Sequence, residues 1–97
     1  MATPLSEDQI QKGLKGLTGW ALCDNALERD FKFGSFREAV AFIIRIAFSA
    51  ESANHHPEIL NVYSNVRIRL NTHDAGGRVT CKDMDLASEI STVSEAP

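Results

Sequence analysis

Three imidazoles are the side chains of this sequence best suited to moving protons near neutral pH, because the ring titrates at about 6.5 and can act as donor or acceptor. Two of them, His55 and His56, stand side by side against Pro57 in the stretch "ESANHHPEILNVY", and the third is His73. A residue before proline is driven toward extended backbone, so the direction of the His56 ring is restricted. Consecutive side chains of an extended segment point to opposite sides. His55 and His56 therefore converge on one ligand only if the chain bends between them; otherwise one serves and the other supports. A pair of histidines closing a helix, where the macrodipole favours positive charge, is the plain structural alternative.

Two sharper chemistries suit this set. Three histidines with Glu51 are enough donors for a zinc ion, but no two of them lie four apart on a helix, and adjacent histidines seldom offer both rings to one tetrahedral ion. No metal is expected. Acid-base chemistry fits better: one protonated ring donates to a leaving hydroxyl while a neutral ring removes a proton from a neighbouring atom, which is a dehydration.

The elements that must position these rings are legible in the pattern. Ser6 and Gln9 have capping-box spacing and open a short helix in "SEDQIQKGLKGL". Trp20 and Leu22 begin a strand, Asp24 and Asn25 suit a turn, and in "ALERDFKF" Leu27, Phe31 and Phe33 alternate with Glu28, Asp30 and Lys32 as in a half-buried antiparallel strand. Ser35 and Glu38 form a second capping-box pair. The main helix follows, with Phe36, Val40, Ile43 and Ala47, flanked by Ile44 and Phe48, read as the apolar stripe that packs on a sheet. Asn54 suits a left-handed residue just past that helix, and Pro57 cannot continue it, so the paired histidines occupy the break. Two more strands surround Ser64 and Asn65, with Val66, Ile68 and Leu70 on one face and Arg67, Arg69, Asn71 and His73 on the other, wet face. After the loop "DAGGRV", Thr80 caps a last helix whose apolar side carries Leu86, Ile90 and Val93. The order implies an α+β fold: a four-stranded antiparallel sheet with helices packed on one face. Residues 1–97 are read as one domain.

Composition narrows the partners. With 43% hydrophobic and 24% charged residues the chain is an ordinary globular protein, and its net charge of -3 disfavours direct binding to nucleic acid. No run approaches the roughly 20 apolar residues of a membrane span, and "MATPLSEDQI" lacks a basic segment followed by an apolar stretch. Cys23 and Cys81 fit no metal or redox spacing and read as buried or incidental thiols. The expected location is the cytoplasm.

The stretch "NHHPEILNVYSNVRIRLNTH" followed by "TCKDMDLASEI" resembles the pterin-4a-carbinolamine dehydratase family, known in animals also as the dimerisation cofactor of a homeodomain transcription factor. The likeness runs from Gly19-Trp20 to about Ile90 and includes a carboxylate before HHP, an aromatic at Tyr63, the histidine of "TH" and an aspartate opening the last helix. It implies elimination of water from 4a-hydroxytetrahydrobiopterin to give quinonoid dihydropterin, in the recycling of tetrahydrobiopterin. It also implies His55, His56 and His73 as the catalytic set, Glu51 and Asp83 as nearby carboxylates, and Trp20 as a wall of the pterin pocket, with no cofactor and no metal. The implied assembly is a homodimer or homotetramer, with an aromatic amino acid hydroxylase as the enzyme served. From the residues alone Asp83 completes a capping box with Thr80, Trp20 is a core residue and Glu51 is a solvated residue of the helix's last turn. The competing class is a non-catalytic oligomeric binding module or coactivator-type dimerisation partner, suggested by the surplus apolar surface of Ile43, Ile44 and Phe48.

Overall fold

The structure, a computed structural model, describes residues 3–95; residues 1, 2, 96 and 97 of the expected domain lie outside the described residues. Its elements are α1 (Glu7–Leu14), β1 (Ala21–Cys23), β2 (Ala26–Lys32), α2 (Phe36–Ala53), β3 (Glu58–Val62), β4 (Asn65–Leu70), a short 3-10 turn (His73–Ala75) and α3 (Cys81–Glu95). The four strands form one antiparallel sheet in the order β1-β2-β4-β3, so the fold is α+β as the pattern implies.

Local chemistry accounts for most of the boundaries. Ser6 Oγ accepts the Gln9 amide while Gln9 Oε1 accepts the Ser6 amide, which closes the first capping box. At α2 only half of the expected box forms: Ser35 Oγ accepts the Glu38 amide, but Glu38 Oε2 takes the amide of Gly34 instead of the cap's own. Asp24 and Asn25 both adopt positive φ, 48° and 62°, which a two-residue hairpin turn requires and short polar side chains tolerate. The second hairpin turns at Tyr63 and Ser64, one residue earlier than the pattern suggests. Tyr63 stands at φ 54° there, and Asn61 Nδ2 holds the turn by donating to the carbonyls of Tyr63 and Asn65.

The core lies between one face of the sheet and helices α2 and α3. Leu27 and Phe31 from β2 and Val66, Ile68 and Leu70 from β4 meet Phe42 and Ile46 of α2 and Leu86 and Ile90 of α3, all buried. The rings of Phe31 and Phe33 each lie 4.9 Å from that of Phe42. The opposite sheet face is left open and carries an ion-pair ladder: Arg67 donates to Asp30 at 2.8 Å and Arg69 to Glu28 at 2.8 Å.

Two expectations change. The face of α2 turned to the sheet is Ala39, Phe42, Ile46 and Ala50, whereas Phe36, Ile44 and Phe48 of the anticipated stripe are exposed. The helix is apolar on two sides, and the side with alanine at both ends sits closest to the sheet. Of the buried and incidental readings of the two thiols, burial falls: Cys23 and Cys81 are both free and exposed.

Candidate active site

Helix α2 ends where Asn54 turns left-handed, at φ 50° and ψ 43°, with its amide bonded to the carbonyls of Ala50 and Glu51. The chain reverses sharply there. His55 is drawn inward by its amide bond to Ala50 O, and His56 is left facing outward. His55 is 8% exposed and Asp83, at the start of α3, is fully buried; His55 Nε2 and Asp83 Oδ1 are 2.5 Å apart. The His56 side chain is 61% exposed, and its Nε2 lies 2.7 Å from Glu51 Oε1, itself on the last turn of α2. Each histidine thus has its own carboxylate.

His73 does not continue β4. The strand stops at Leu70, Thr72 bridges to Arg78, and His73 opens the 3-10 turn, which ends on two glycines at φ 75° and 73°. That backbone is available to glycine and few other residues. The turn brings His73 to the rim of an open hollow of about 280 Å³ shared with His56, Pro57, Glu58, Arg69 and Asn71. His56 and His73 thus come together, and His55, buried against Asp83, is not among the residues lining that hollow. Two larger hollows, of about 340 and 320 Å³, sit on the open sheet face among charged and apolar side chains and hold no histidine.

Trp20 is not among the residues lining the histidine hollow. It is 6% exposed, packs edge-on to Phe31 at 6.1 Å, and donates from Nε1 to Ser91 Oγ at 2.8 Å. Among the described residues no group of three or more His, Cys, Asp or Glu side chains gathers closely enough to hold a metal ion.

Pattern reading took Thr80 only as a helix cap and passed over Thr72. Asp83 Oδ2 accepts both the Thr80 amide and the Thr72 hydroxyl, each at 2.8 Å, and Thr72 Oγ1 lies 2.7 Å from Thr80 Oγ1. Both threonines are buried. The signal was present: Thr72 continues the inward parity of Val66, Ile68 and Leu70, and a hydroxyl on a buried face must find a partner.

The ladder beside the hollow has the expected electrostatics. The hydrogen bond from Arg67 holds the Asp30 carboxyl below its ordinary range, and Arg67 is raised by the same contact. Arg69, on the rim, is raised first by its bond to Glu28 and further by the charges of Glu28 and Glu58.

The family model described as pterin 4 alpha carbinolamine dehydratase matches residues 3–93. This chain belongs to that family. A protein of Opitutus terrae, whose name gives pterin-4-alpha-carbinolamine dehydratase as a provisional assignment, is 53% identical over 94 residues, covering 97% of each chain. The crystal structure of a transcriptional coactivator/pterin dehydratase from Brucella melitensis superposes with a TM-score of 0.89 at 34% identity, over 94% of this chain and 98% of that one. A pterin dehydratase-like protein identified as a RuBisCO assembly factor in the alpha-carboxysome shares the fold, with a TM-score of 0.64 at 22% identity over 80% of this chain and 89% of its own. With that assembly factor the likeness is one of fold. No described helix is long and apolar enough to cross a membrane.

Proposed function

We propose that this protein is a 4a-hydroxytetrahydrobiopterin dehydratase acting in tetrahydrobiopterin recycling in the cytoplasm, in the service of an aromatic amino acid hydroxylase. The observation that carries this reading is the convergence of His56 and His73 on one open hollow, in a chain of the dehydratase family. In the reaction the bond from C4a to the hydroxyl oxygen breaks with its electron pair on oxygen, which takes a proton and leaves as water. A neighbouring ring atom gives up a proton, and its electron pair becomes the new double bond. No electron is gained or lost, and one proton moves each way.

Two imidazoles in opposite protonation states suffice for this exchange. Glu51 beside His56 steadies the ring when it carries charge and accepts Nε2–H when it does not. His73, across the hollow, supplies the complementary role. His55 serves from the interior, tied to Asp83, and Trp20 contributes through the packing of β2 and α3 beneath the sheet. Neither a cofactor nor a metal is called for by a step that only relocates protons. The test follows quinonoid product from chemically generated 4a-hydroxytetrahydropterin. Saturable acceleration over the spontaneous reaction, largely lost in His73→Ala, supports the reading; equal rates with and without the protein defeat it.

A second reading, which can hold beside the first, is favoured by the outer stripe of α2. Phe36, Val40, Ala41 and Ile44 line an apolar depression, and Phe48 is 73% exposed. The occupant proposed is a second copy of the helix, antiparallel and centred on Ile44. That register sets Val40 against Phe48 and Arg37 against Glu51, so both apolar and charged positions are self-complementary, as a two-fold contact requires. The result is a homodimer, or a homotetramer if another surface also pairs.

A further inference from the structure

We infer that Thr72 is a positioning residue: its hydroxyl orients Asp83 so that Asp83 fixes His55 in the tautomer with hydrogen on Nε2, while its backbone sets the point from which His73 departs. The part concerning turnover rests on the dehydratase reading; the part concerning the tautomer does not.

The direction of every hydrogen bond in this buried chain can be worked out. A carboxylate only accepts, so the single hydroxyl proton of Thr72 goes to Asp83 Oδ2 at 2.8 Å. The 2.7 Å contact between the two threonine hydroxyls must then be filled by the proton of Thr80. Thr80 Oγ1 in turn accepts the Lys82 amide at 3.2 Å. Oδ2 also receives the Thr80 amide at 2.8 Å, which leaves Oδ1 to His55 Nε2. Nε2 must donate there, so the neutral ring keeps its lone pair on Nδ1. No buried side-chain nitrogen or oxygen among the described residues lacks a partner, so this arrangement is consistent with every contact of the buried chain.

The backbone of Thr72 is held as firmly. Its amide donates to Arg78 O at 2.8 Å, and its carbonyl accepts the amides of Ala75 and Gly77 at 3.0 and 3.1 Å. The next residue is His73, on the rim of the hollow. One threonine therefore ties together the interior histidine and a histidine of the hollow. Without its hydroxyl, Asp83 Oδ2 loses a donor, the carboxylate can rotate, and His55 loses a fixed acceptor.

The experiment pairs Thr72→Val, which keeps the shape, with Thr72→Ser, which keeps the hydroxyl, and reads the ring nitrogens of His55 by nitrogen-15 NMR without substrate. The native protein is expected to show the Nε2–H tautomer alone, Thr72→Val a mixture of both, and Thr72→Ser the native pattern. In turnover, Thr72→Val is expected to lose about ten- to a hundredfold in kcat with KM within about twofold, as for a misplaced catalytic group, and Thr72→Ser to recover most of it. A merely structural threonine would lower the thermal midpoint and leave the His55 spectrum native, which overturns the inference. If Thr72→Val does not fold, the native spectrum still decides, because a neutral His55 ring with hydrogen on Nδ1 and none on Nε2 contradicts the derived direction. If the native protein fails to turn over the pterin, the dehydratase reading falls while the spectra continue to judge the tautomer.

Discussion

His55 and His56 are neighbours in sequence with identical chemistry and opposite surroundings. His55 is buried against a buried aspartate, and His56 is open to solvent beside an exposed glutamate. What separates them is one left-handed residue, Asn54, which turns the chain so that successive side chains go to the interior and to the surface. The difference teaches a division of labour. A buried ring with a fixed partner has a defined orientation but poor access to substrate, and an exposed ring has access at the cost of orientation. Stability and turnover should therefore respond separately at the two carboxylate partners.

Asp83→Ala is the most damaging change expected. It leaves two side-chain donors and one backbone donor without their acceptor at the start of α3, and at about 1–3 kcal/mol for each buried unsatisfied group the loss is a large fraction of a small domain's stability. Urea unfolding should show a markedly lower midpoint; a midpoint near the native one would break the contrast. His56→Gln should do the reverse, keeping the native midpoint while turnover falls by about 10² to 10⁴-fold. Glu51→Gln should act in the same direction more weakly, since the pair is exposed and screened. A thermal midpoint that moves as far for Glu51→Gln as for Asp83→Ala would erase the distinction between the two sites.

The smallest effect belongs to the open sheet face. Asp30 is held below its ordinary carboxyl range in the folded protein, so its pairing with Arg67 contributes stability that is present above the unfolded value of about 3.8 and lost as pH falls through the lower folded value. Asp30→Asn should leave stability at neutral pH almost unchanged and slightly reduce the acid sensitivity of unfolding below about pH 4. A large loss at pH 7 would show that the ladder matters more than an exposed ion pair should.

Much of the frame was readable because short-range chemistry decides it. Ser6 with Gln9, the Asp24-Asn25 turn and Asn54 are each residues whose side chains or left-handed tolerance suit one local geometry. The orientation of α2 was not readable in the same way. Phe36, Val40, Ile44 and Phe48 repeat as well as Ala39, Phe42, Ile46 and Ala50, so periodicity could not choose between faces, and the larger side chains pointed to the wrong one. The site was legible by residue type and only partly by placement. Alternation carried His73 along β4, but the strand stops at Leu70 and His73 opens the 3-10 turn that the two glycines close, while Thr72 stayed hidden as an apparently ordinary strand residue. Pairing of His55 with Asp83, 28 residues apart, depends on how α3 packs across the sheet, which no local pattern encodes.

The most direct measurement is the single-turnover rate of 4a-hydroxytetrahydropterin dehydration by the His56→Gln/His73→Gln double variant, with its thermal midpoint recorded alongside. The account predicts a native midpoint and a rate reduced to that of the spontaneous reaction. A folded double variant that retains saturable acceleration would show that the chemistry is done elsewhere.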